Sequence, residues 1–265
     1  MQQSKILSFK TAAYFWPSNI HGMIFFRRLR IIYAAIIFVL SFLALFPVLV
    51  ICAQNKKWNR TAYALSHYWA KMFFFLIGVK VKIDDRNKEK WSEPCIYVAN
   101  HFSYVDIPSM VLLTKNASFV GKQSIKIAPL FGYFITSLHI ALKRDSTRDR
   151  GLALQRGFTT LEDGKSLIIF PEGGIRTKNP PNQWNYMDGA FRMAIKKGVP
   201  LVPISLPTNY LLLPDDGKLL LKGNNLNIVV HEAIDCSALS DAEVFELKDK
   251  VFKIIQSELN LWQQK

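Results

Sequence analysis

The sequence predicts an α/β fold, with a mixed sheet flanked by helices, preceded by an N-terminal membrane-embedded two-helix element. Two observations lead to this prediction. Short apolar, β-prone runs alternate with helical patterns from residue 95 onward, which is typical of strands and helices packed in layers. Before them, residues 31–55 contain no charged side chain and are mainly aliphatic and aromatic, and this run is long enough to cross about 30 Å of hydrocarbon.

The N-terminal region contains two apolar segments. Basic residues flank the first segment on both sides, and the second, residues 62–79, is rich in aromatic side chains but includes titratable ones. The basic flanks give no clear orientation for a single crossing. They favour a helical hairpin that dips into one leaflet, with Pro47 as a bend, and an ordinary two-span anchor is the alternative. We assign the anchoring hairpin to residues 1–83 and an α/β domain to residues 84–265.

The elements of the α/β domain follow in a regular order. Seven apolar runs predict strands at residues 95–99, 118–120, 140–142, 167–170, 201–204, 219–221 and 227–230. Helical patterns predict helices at residues 104–113, 127–138, 147–161 and 189–197, with a last helix from Ser240 onward. Gly198 follows two lysines and is typical of a helix end. Ser240 and Glu243 have the spacing of a capping box.

The composition is that of a basic and strongly hydrophobic protein. The 265 residues are 50% hydrophobic and carry a formal net charge of +14 at pH 7, so we expect an acidic partner, either nucleic acid or anionic lipid. Nucleic acid is disfavoured because the basic residues are dispersed and no helix-turn-helix or zinc-finger spacing occurs. The three cysteines form no C-x-x-C pair, which argues against a thiolate zinc site and favours a reducing compartment.

His101 and Asp106 are the candidate catalytic residues. His101 follows the first strand predicted in the α/β domain, at the carboxyl end where open α/β sheets place their chemistry. Asp106 lies in the predicted first turn of a helix, from which it can fold back to the imidazole. Such a carboxylate fixes the ring tautomer and stabilises the imidazolium, and a histidine pKa of about 6.5 suits proton abstraction from an alcohol. For the pair alone, a simple loop hydrogen bond is the alternative.

Further candidates follow other strand ends. Glu172 and Gly173 come directly after the fourth predicted strand, and paired glycines let a backbone approach a ligand closely or present N–H groups to an anion. Arg176 offers a fork for phosphate or carboxylate. Lys122 and Arg144 stand near the ends of two preceding strands, so they would converge on one side of the sheet and attract a small anion. A tight surface turn and solvated charges are the alternatives.

Together these motifs resemble the lysophospholipid acyltransferase family, whose best known members are the 1-acylglycerol-3-phosphate acyltransferases. Residues 100–106 are similar to the family's H-x4-D block, residues 170–173 to its F-P-E-G block, and residues 200–203 to its fourth block. Arg144 corresponds to the arginine that closes the second block. The third block has one extra residue before its arginine, because residues 172–177 read E-G-G-I-R-T where the family usually reads E-G-T-R-S.

The resemblance implies transfer of a fatty acyl group from a thioester of coenzyme A or acyl carrier protein to the free hydroxyl of a lysophospholipid. The expected acceptor is 1-acylglycerol-3-phosphate, which gives phosphatidic acid, and no metal or cofactor is implied. The catalytic residues are His101 and Asp106. The substrate-binding residues are Lys122, Arg144, Glu172, Gly173 and Arg176. We expect the protein to bind an anionic membrane, with its active site on the cytoplasmic face. In a bacterium this would be the inner membrane.

Three alternatives stay open from the sequence. The first is an acyltransferase of the same family that acts on another lysolipid, for example a lyso-amino-acid lipid. The second is a metal-dependent membrane-bound hydrolase with His101, Asp106 and Glu172 as ligands, although no pair of histidines has ligand spacing. The third is a non-catalytic membrane-anchored binding protein. No serine lies in a G-x-S-x-G context, so we expect direct transfer in a ternary complex without an acyl-enzyme.

Overall fold

The computed structural model describes residues 20–87, 93–122, 129–142 and 147–264. Within these ranges the helices are α1 (Ile20–Gln54), α2 (Asn59–Leu76), α3 (Asp106–Val111), α4 (Pro129–Leu138), α5 (Thr147–Glu162), α6 (Gly189–Lys197), α7 (Asn209–Leu212) and α8 (Val244–Gln263). The strands are β1 (Lys80–Asp85), β2 (Ile96–Ala99), β3 (Ala117–Lys122), β4 (Ile140–Leu142), β5 (Ser166–Ile169), β6 (Leu201–Ser205) and β7 (Asn225–Val230).

The described strands form one sheet in the order β1-β7-β6-β2-β5-β3-β4. Neighbouring strands are parallel except β6 and β7, which are antiparallel. The sheet is therefore mixed, as the sequence predicted. Because β2, β3, β5 and β6 all run the same way, their carboxyl ends meet at one edge, and groups that follow these strands lie close together.

Helices cover both faces of this sheet. On one face Phe74 of α2 packs in the same core cluster as Ile168 and Ile204 of the sheet. On the other face Phe191 of α6 and Val251 of α8 pack with a second set of strand side chains. All four residues of β5 are buried, because a central parallel strand is enclosed on both sides.

The N-terminal helices pack against each other. A short 3₁₀ turn at Lys56–Trp58 joins them, and Phe38 of α1 contacts the rings of Trp69 and Phe73 of α2. Within the described residues, one helix segment, Gly22–Gln54, is long and apolar enough to cross a membrane, with a mean hydropathy of 3.0 over an 18-residue window. That α1 and α2 form a membrane-embedded unit stays a prediction.

Several sequence predictions of local structure need correction. α1 continues through Pro47, so the chain reverses after the helix end and not at the proline. Residues 219–221 form no strand; Leu220 and Leu221 are buried in a loop, which meets α7 where the Lys222 N–H donates to the Leu212 carbonyl at 2.8 Å. β1 and α7 were not predicted, and β1 crosses the boundary assigned between residues 83 and 84.

Two predicted helix ends are confirmed. Gly198 closes α6 in the left-handed conformation, with a φ of 58°, which a glycine adopts without strain. Ser240 and Glu243 form the predicted capping box, in which the Ser240 N–H donates to Glu243 Oε2 at 2.8 Å. The capping box precedes a 3₁₀ turn, and α8 itself begins at Val244.

Candidate active site

The loop that carries His101 begins at a fixed point at the end of β2. Asn100 Oδ1 accepts a hydrogen bond from the Leu206 N–H at 2.8 Å, and Asn100 Nδ2 donates to the Leu206 carbonyl at 3.3 Å. Asn100 is fully buried. This pair of bonds joins the end of β2 to the end of β6, and therefore fixes the direction in which His101 leaves the sheet.

His101 and Asp106 form the pair that the sequence predicted. His101 Nδ1 lies 2.9 Å from Asp106 Oδ2. A carboxylate oxygen accepts, so Nδ1 carries the proton and Nε2 is left as the basic nitrogen. Asp106 is fully buried and the His101 side chain is nearly so, with 11% exposed. The side chain of Asp106 therefore faces the imidazole from inside the protein and orients it.

Asp106 is held by more than the imidazole. Its Oδ2 also accepts hydrogen bonds from the backbone N–H groups of Phe102 and Ser103, each at 2.8 Å. Its Oδ1 accepts a hydrogen bond from Asn209 Nδ2 at 2.8 Å. Asp106 starts α3, and its carboxylate folds back over the preceding loop in the way the sequence suggested. Both carboxylate oxygens are occupied, so the side chain is fixed in one orientation.

An apolar cavity of about 940 Å³ reaches His101. Phe170 lies beside the imidazole, with ring centroids 4.2 Å apart and planes 18° from parallel. From there the cavity extends between the N-terminal helices and the sheet, where its wall includes Phe38, Phe42, Leu49, Trp69 and Phe73. The imidazole of His101 therefore lies at the end of a long hydrophobic space.

Glu172 lies behind His101 and does not line this cavity. The residue is fully buried. Its Oε1 accepts a hydrogen bond from the His101 backbone N–H at 2.8 Å, and its Oε2 accepts one from the Trp184 N–H at 2.9 Å. Burial raises the pKa of Glu172 to about 7, the charge of Asp106 adds to this, and the two hydrogen bonds oppose it. The carboxylate thus joins the loop from His101 to Asp106 to the segment around Trp184, and its predicted role in the acceptor pocket stays a prediction.

The segment after Glu172 forms the mouth of the cavity. Gly173 has a φ of 78° and Gly174 a φ of 147°, a backbone course that favours glycine over residues with a Cβ atom. Both glycines line the cavity together with Ile175 and Arg176. Arg176 is exposed to solvent. The structure therefore brings Gly173 and Arg176 to the same opening as His101.

The remaining predicted substrate-binding residues are only partly described. Lys122 ends β3, which pairs with β5 in parallel, so its backbone lies at the sheet edge from which His101 emerges. Its side chain is outside the described residues, and so is the whole of Arg144. Binding of the substrate by these two residues stays a prediction.

The geometry gives no support to the metal-dependent alternative. Among the described residues, no group of three His, Cys, Asp or Glu side chains could hold a metal ion. Both oxygens of Glu172 face backbone N–H groups, and Asp106 faces His101 and three further donors. The three side chains suggested as ligands therefore do not converge on a common point.

Two residues of the site were not predicted in these roles. Phe170 belongs to the F-P-E-G block but was assigned only to a strand, and its stacking on His101 depends on the parallel pairing of β2 with β5. Asn209 lies beyond the last block, at the start of the four-residue helix α7. A polar residue in a Thr-Asn-Tyr sequence gives no periodic signal, and only the fold brings it to Asp106.

The sequence and the fold are similar to those of known acyltransferases. The sequence profile of the family named Acyltransferase matches residues 79–207, which includes β1, the His101–Asp106 loop, Glu172 and β6. The matched region is 129 of the 265 residues and holds both His101 and Asp106.

Curated relatives of the chain carry more specific names. A chloroplast 1-acyl-sn-glycerol-3-phosphate acyltransferase of Arabidopsis thaliana is 28% identical over 236 residues, which are 88% of this chain and 64% of that protein. The enzyme of the same name from Haemophilus influenzae is 24% identical over 80% of this chain and 96% of that protein. The lyso-ornithine lipid O-acyltransferase of Pseudomonas aeruginosa is 27% identical over 54% of this chain and 53% of that protein.

The chain spans only part of some relatives, covering 64%, 41% and 63% of three plant and algal proteins. Among solved structures, the 1-acyl-sn-glycerophosphate acyltransferase from Thermotoga maritima superposes with a TM-score of 0.72. It is 22% identical, over 90% of this chain and 98% of that one. At this level of identity the similarity shows a shared fold.

Proposed function

We propose that this protein transfers a fatty acyl group from an acyl thioester to the free hydroxyl of a lysophospholipid, and that the acceptor is 1-acylglycerol-3-phosphate. The donor is acyl-coenzyme A or acyl carrier protein. The observation that carries the proposal is the His101–Asp106 pair at the end of the apolar cavity. The relatives described above are named as acyltransferases of lysolipids. Their names support a lysolipid acceptor for this protein.

In the proposed reaction, His101 Nε2 removes the proton from the acceptor hydroxyl. The oxygen attacks the thioester carbonyl and forms the new ester C–O bond. The C–S bond then breaks, and the imidazolium returns its proton to the departing thiolate. Asp106 stabilises the imidazolium and holds the ring during both proton transfers. Backbone N–H groups of the segment from Gly174 to Arg176, which lines the cavity, are suitable donors to the developing oxyanion.

Direct transfer without an acyl-enzyme fits the surroundings of the nearby serines. Ser103 Oγ donates to the Leu213 carbonyl at 2.6 Å, and Ser109 Oγ donates to the Val105 carbonyl at 2.6 Å. Both hydroxyls are buried and engaged with backbone. Neither hydroxyl is hydrogen-bonded to the imidazole, so neither is in position to act as an activated nucleophile.

The cavity suits an acyl chain because aromatic and aliphatic side chains dominate its wall. We assign the space between α1, α2 and the sheet to the fatty acyl group, whose transfer from water to such a surface is favourable. The head-group phosphate would lie at the mouth, near Arg176. Lys122 and Arg144 are assigned to the same phosphate by their strand-end positions.

We further propose that α1 and α2 hold the protein in an anionic membrane, with the active site on the cytoplasmic face. Large apolar side chains are exposed along both helices, and Phe75 of α2 has 81% of its surface exposed. Exposed apolar surface of this extent is typical of a membrane contact. The basic residues near the N-terminal end of α1, Arg27, Arg28 and Arg30, and those of the turn after α1 would contact anionic head groups.

A lyso-amino-acid lipid is the second candidate acceptor. Asp215 and Arg176 both line the mouth of the cavity, so one opening presents a carboxylate and a guanidinium. An amino-acid head group carries both an ammonium and a carboxylate, which this pair of charges would match. Two of the relatives are named lyso-ornithine lipid O-acyltransferases, which also favours an amino-acid head group.

The test is acyl transfer by purified protein in lipid–detergent micelles, with both acceptors offered against both donor types. We expect His101→Ala to lower kcat by about 10²–10⁴. His231→Ala is the matched control, because His231 does not line the cavity. Near wild-type transfer by His101→Ala would rule out the mechanism, and preference for the amino-acid lipid would replace the acceptor.

A further inference from the structure

The second carboxylate oxygen of Asp106 has a partner that the catalytic motif does not contain. Asn209 Nδ2 donates to Asp106 Oδ1 at 2.8 Å and lies 3.1 Å from Ser109 Oγ. Asn209 is separated from Asp106 by 103 positions in the sequence. Both side chains are fully buried, so neither can exchange its partner for water.

Asn209 controls the one torsion that the other bonds leave weakly defined. Rotation of an aspartate about its Cβ–Cγ bond has a broad, two-fold profile. Three donors converge on Oδ2, namely His101 Nδ1 and the N–H groups of Phe102 and Ser103. A donor on Oδ1 from the opposite side prevents the carboxylate from turning, and thereby holds Oδ2 in line with the imidazole.

The helix that carries Asn209 is itself tied to the catalytic loop. Asn209 is the first residue of α7, and just beyond the end of that helix the carbonyl of Leu213 accepts a hydrogen bond from Ser103 Oγ at 2.6 Å. Ser103 in turn donates its N–H to Asp106. The short helix is thus attached to the loop at both ends, so Asn209 approaches Asp106 from a fixed direction.

The amide of Asn209 has one satisfied and one unsatisfied end. Its Oδ1 is buried, and no described residue donates a hydrogen bond to it. A buried polar atom without a partner destabilises a fold, whereas an apolar side chain of similar volume would avoid this. The hydrogen bond from Nδ2 to Asp106 is a benefit that an apolar side chain would not supply.

We propose that Asn209 is a positioning residue of the acyl transfer reaction, which fixes Asp106 and through it the orientation of His101. This inference rests on the proposed function. Asn209 does not line the cavity, so it acts on the rate of the chemical step and not on substrate binding. The titratable groups that face this cluster are His101, Asp106 and Glu172.

The test compares three variants of the full-length protein in the same micellar assay. Asn209→Leu removes the donor at similar volume, and we expect kcat to fall about 10- to 100-fold, the range typical of residues that orient a catalytic ligand. KM for both substrates should change less than about twofold, because Asn209 does not contact the substrate-binding cavity. Asn209→Asp keeps the shape but puts a second carboxylate against Asp106, so its kcat should also fall and its pH–rate profile should shift.

Ser109→Ala is the matched control, because it removes the other partner of the same amide and leaves Asp106 untouched. It should keep near wild-type kcat. A double variant separates positioning from folding: in a His101→Ala background, Asn209→Leu should cause little further loss, since both act through one base.

Wild-type kcat in Asn209→Leu, a loss confined to KM, an equal loss in Ser109→Ala, or an undiminished further loss in the His101→Ala background would each overturn the proposal. Failure of the proposed function itself gives a different result, because the wild-type protein would then transfer no acyl group from either donor to either acceptor.

Discussion

The buried carboxylate of Glu172 makes stability depend on pH in a direction that can be tested. Its pKa is raised from the ordinary 4.5 to about 7, chiefly by burial. The folded protein therefore binds this proton more tightly than the unfolded chain, so the free energy of unfolding falls as the pH rises from 4.5 through 7. Each pKa unit corresponds to about 1.4 kcal/mol, which gives a decrease of about 3 kcal/mol at most.

Glu172→Gln cannot ionise and should lose this part of the pH dependence. The amide must place an N–H group against one of the two backbone donors at His101 and Trp184, but that unfavourable contact is the same at every pH. The free energy of unfolding of the variant, relative to that of wild type, should therefore increase by up to about 3 kcal/mol between pH 4.5 and pH 7.5. For a domain of this size, 1 kcal/mol shifts the unfolding midpoint by about 2–4 °C.

The assay is thermal unfolding in detergent micelles, followed by tryptophan fluorescence at several pH values between 4.5 and 7.5. Glu246→Gln, which alters an exposed glutamate of α8, controls for the change in net charge. The quantity compared is the difference in midpoint between variant and wild type at each pH. A difference that stays constant with pH, or that moves against the variant as the pH rises, would show that burial does not dominate the pKa of Glu172.

Three further predictions concern the reaction. Ser103→Ala removes the bond to the Leu213 carbonyl but no nucleophile, so its acyl transfer should stay well above that of His101→Ala, and mass spectrometry of the protein after mixing with donor should find no acyl-enzyme. Ala34→Phe narrows the cavity beside α1 and should shift the preference toward shorter acyl thioesters, measured by kcat/KM across a chain-length series. Asp215→Asn removes a carboxylate from the mouth and should raise kcat/KM for lysophosphatidate about two- to fivefold at low salt, an advantage that shrinks at high salt.

For each of these three predictions, one outcome would contradict it. An acyl group on Ser103 would replace direct transfer by a two-step route. An unchanged chain-length preference in Ala34→Phe would show that the acyl chain does not bind in this part of the cavity. A lower kcat/KM for lysophosphatidate in Asp215→Asn, together with loss of the amino-acid lipid as acceptor, would favour the second candidate head group.

The contact between His101 and Asp106 could be predicted from the sequence because the two residues are close together in the chain. His101 and Asp106 are five positions apart, and a strand end followed by a helix start leaves few ways to arrange them. The contacts of Glu172 and Asn209 were harder to predict. Glu172 binds the His101 N–H across 71 positions, and Asn209 binds Asp106 across 103 positions. Glu172 was identified by its motif, but its contacts with two backbone N–H groups depend on the pairing of β2 with β5.

The errors in the fold prediction also have physical causes. β1 escaped detection because it is an edge strand with charged residues on its exposed face, including Lys80, Lys82 and Asp84, so it lacks an apolar run. Residues 219–221 form such a run yet are a loop, because burial of Leu220 and Leu221 beside α7 requires no strand partner. α7, with four residues, is too short for any helical periodicity.

The N-terminal helices do more than the predicted anchor would. Ala34 of α1 and Phe73 of α2 belong to the same core cluster as Ile168 and Ile204 of the sheet, and both helices supply the wall of the cavity that reaches His101. On the proposed function, the outer surface of these helices contacts lipid while their inner surface holds the acyl chain. The thioester's hydrocarbon tail would then move from one apolar environment to another without crossing water, so the hydrophobic effect does not oppose its delivery to the base.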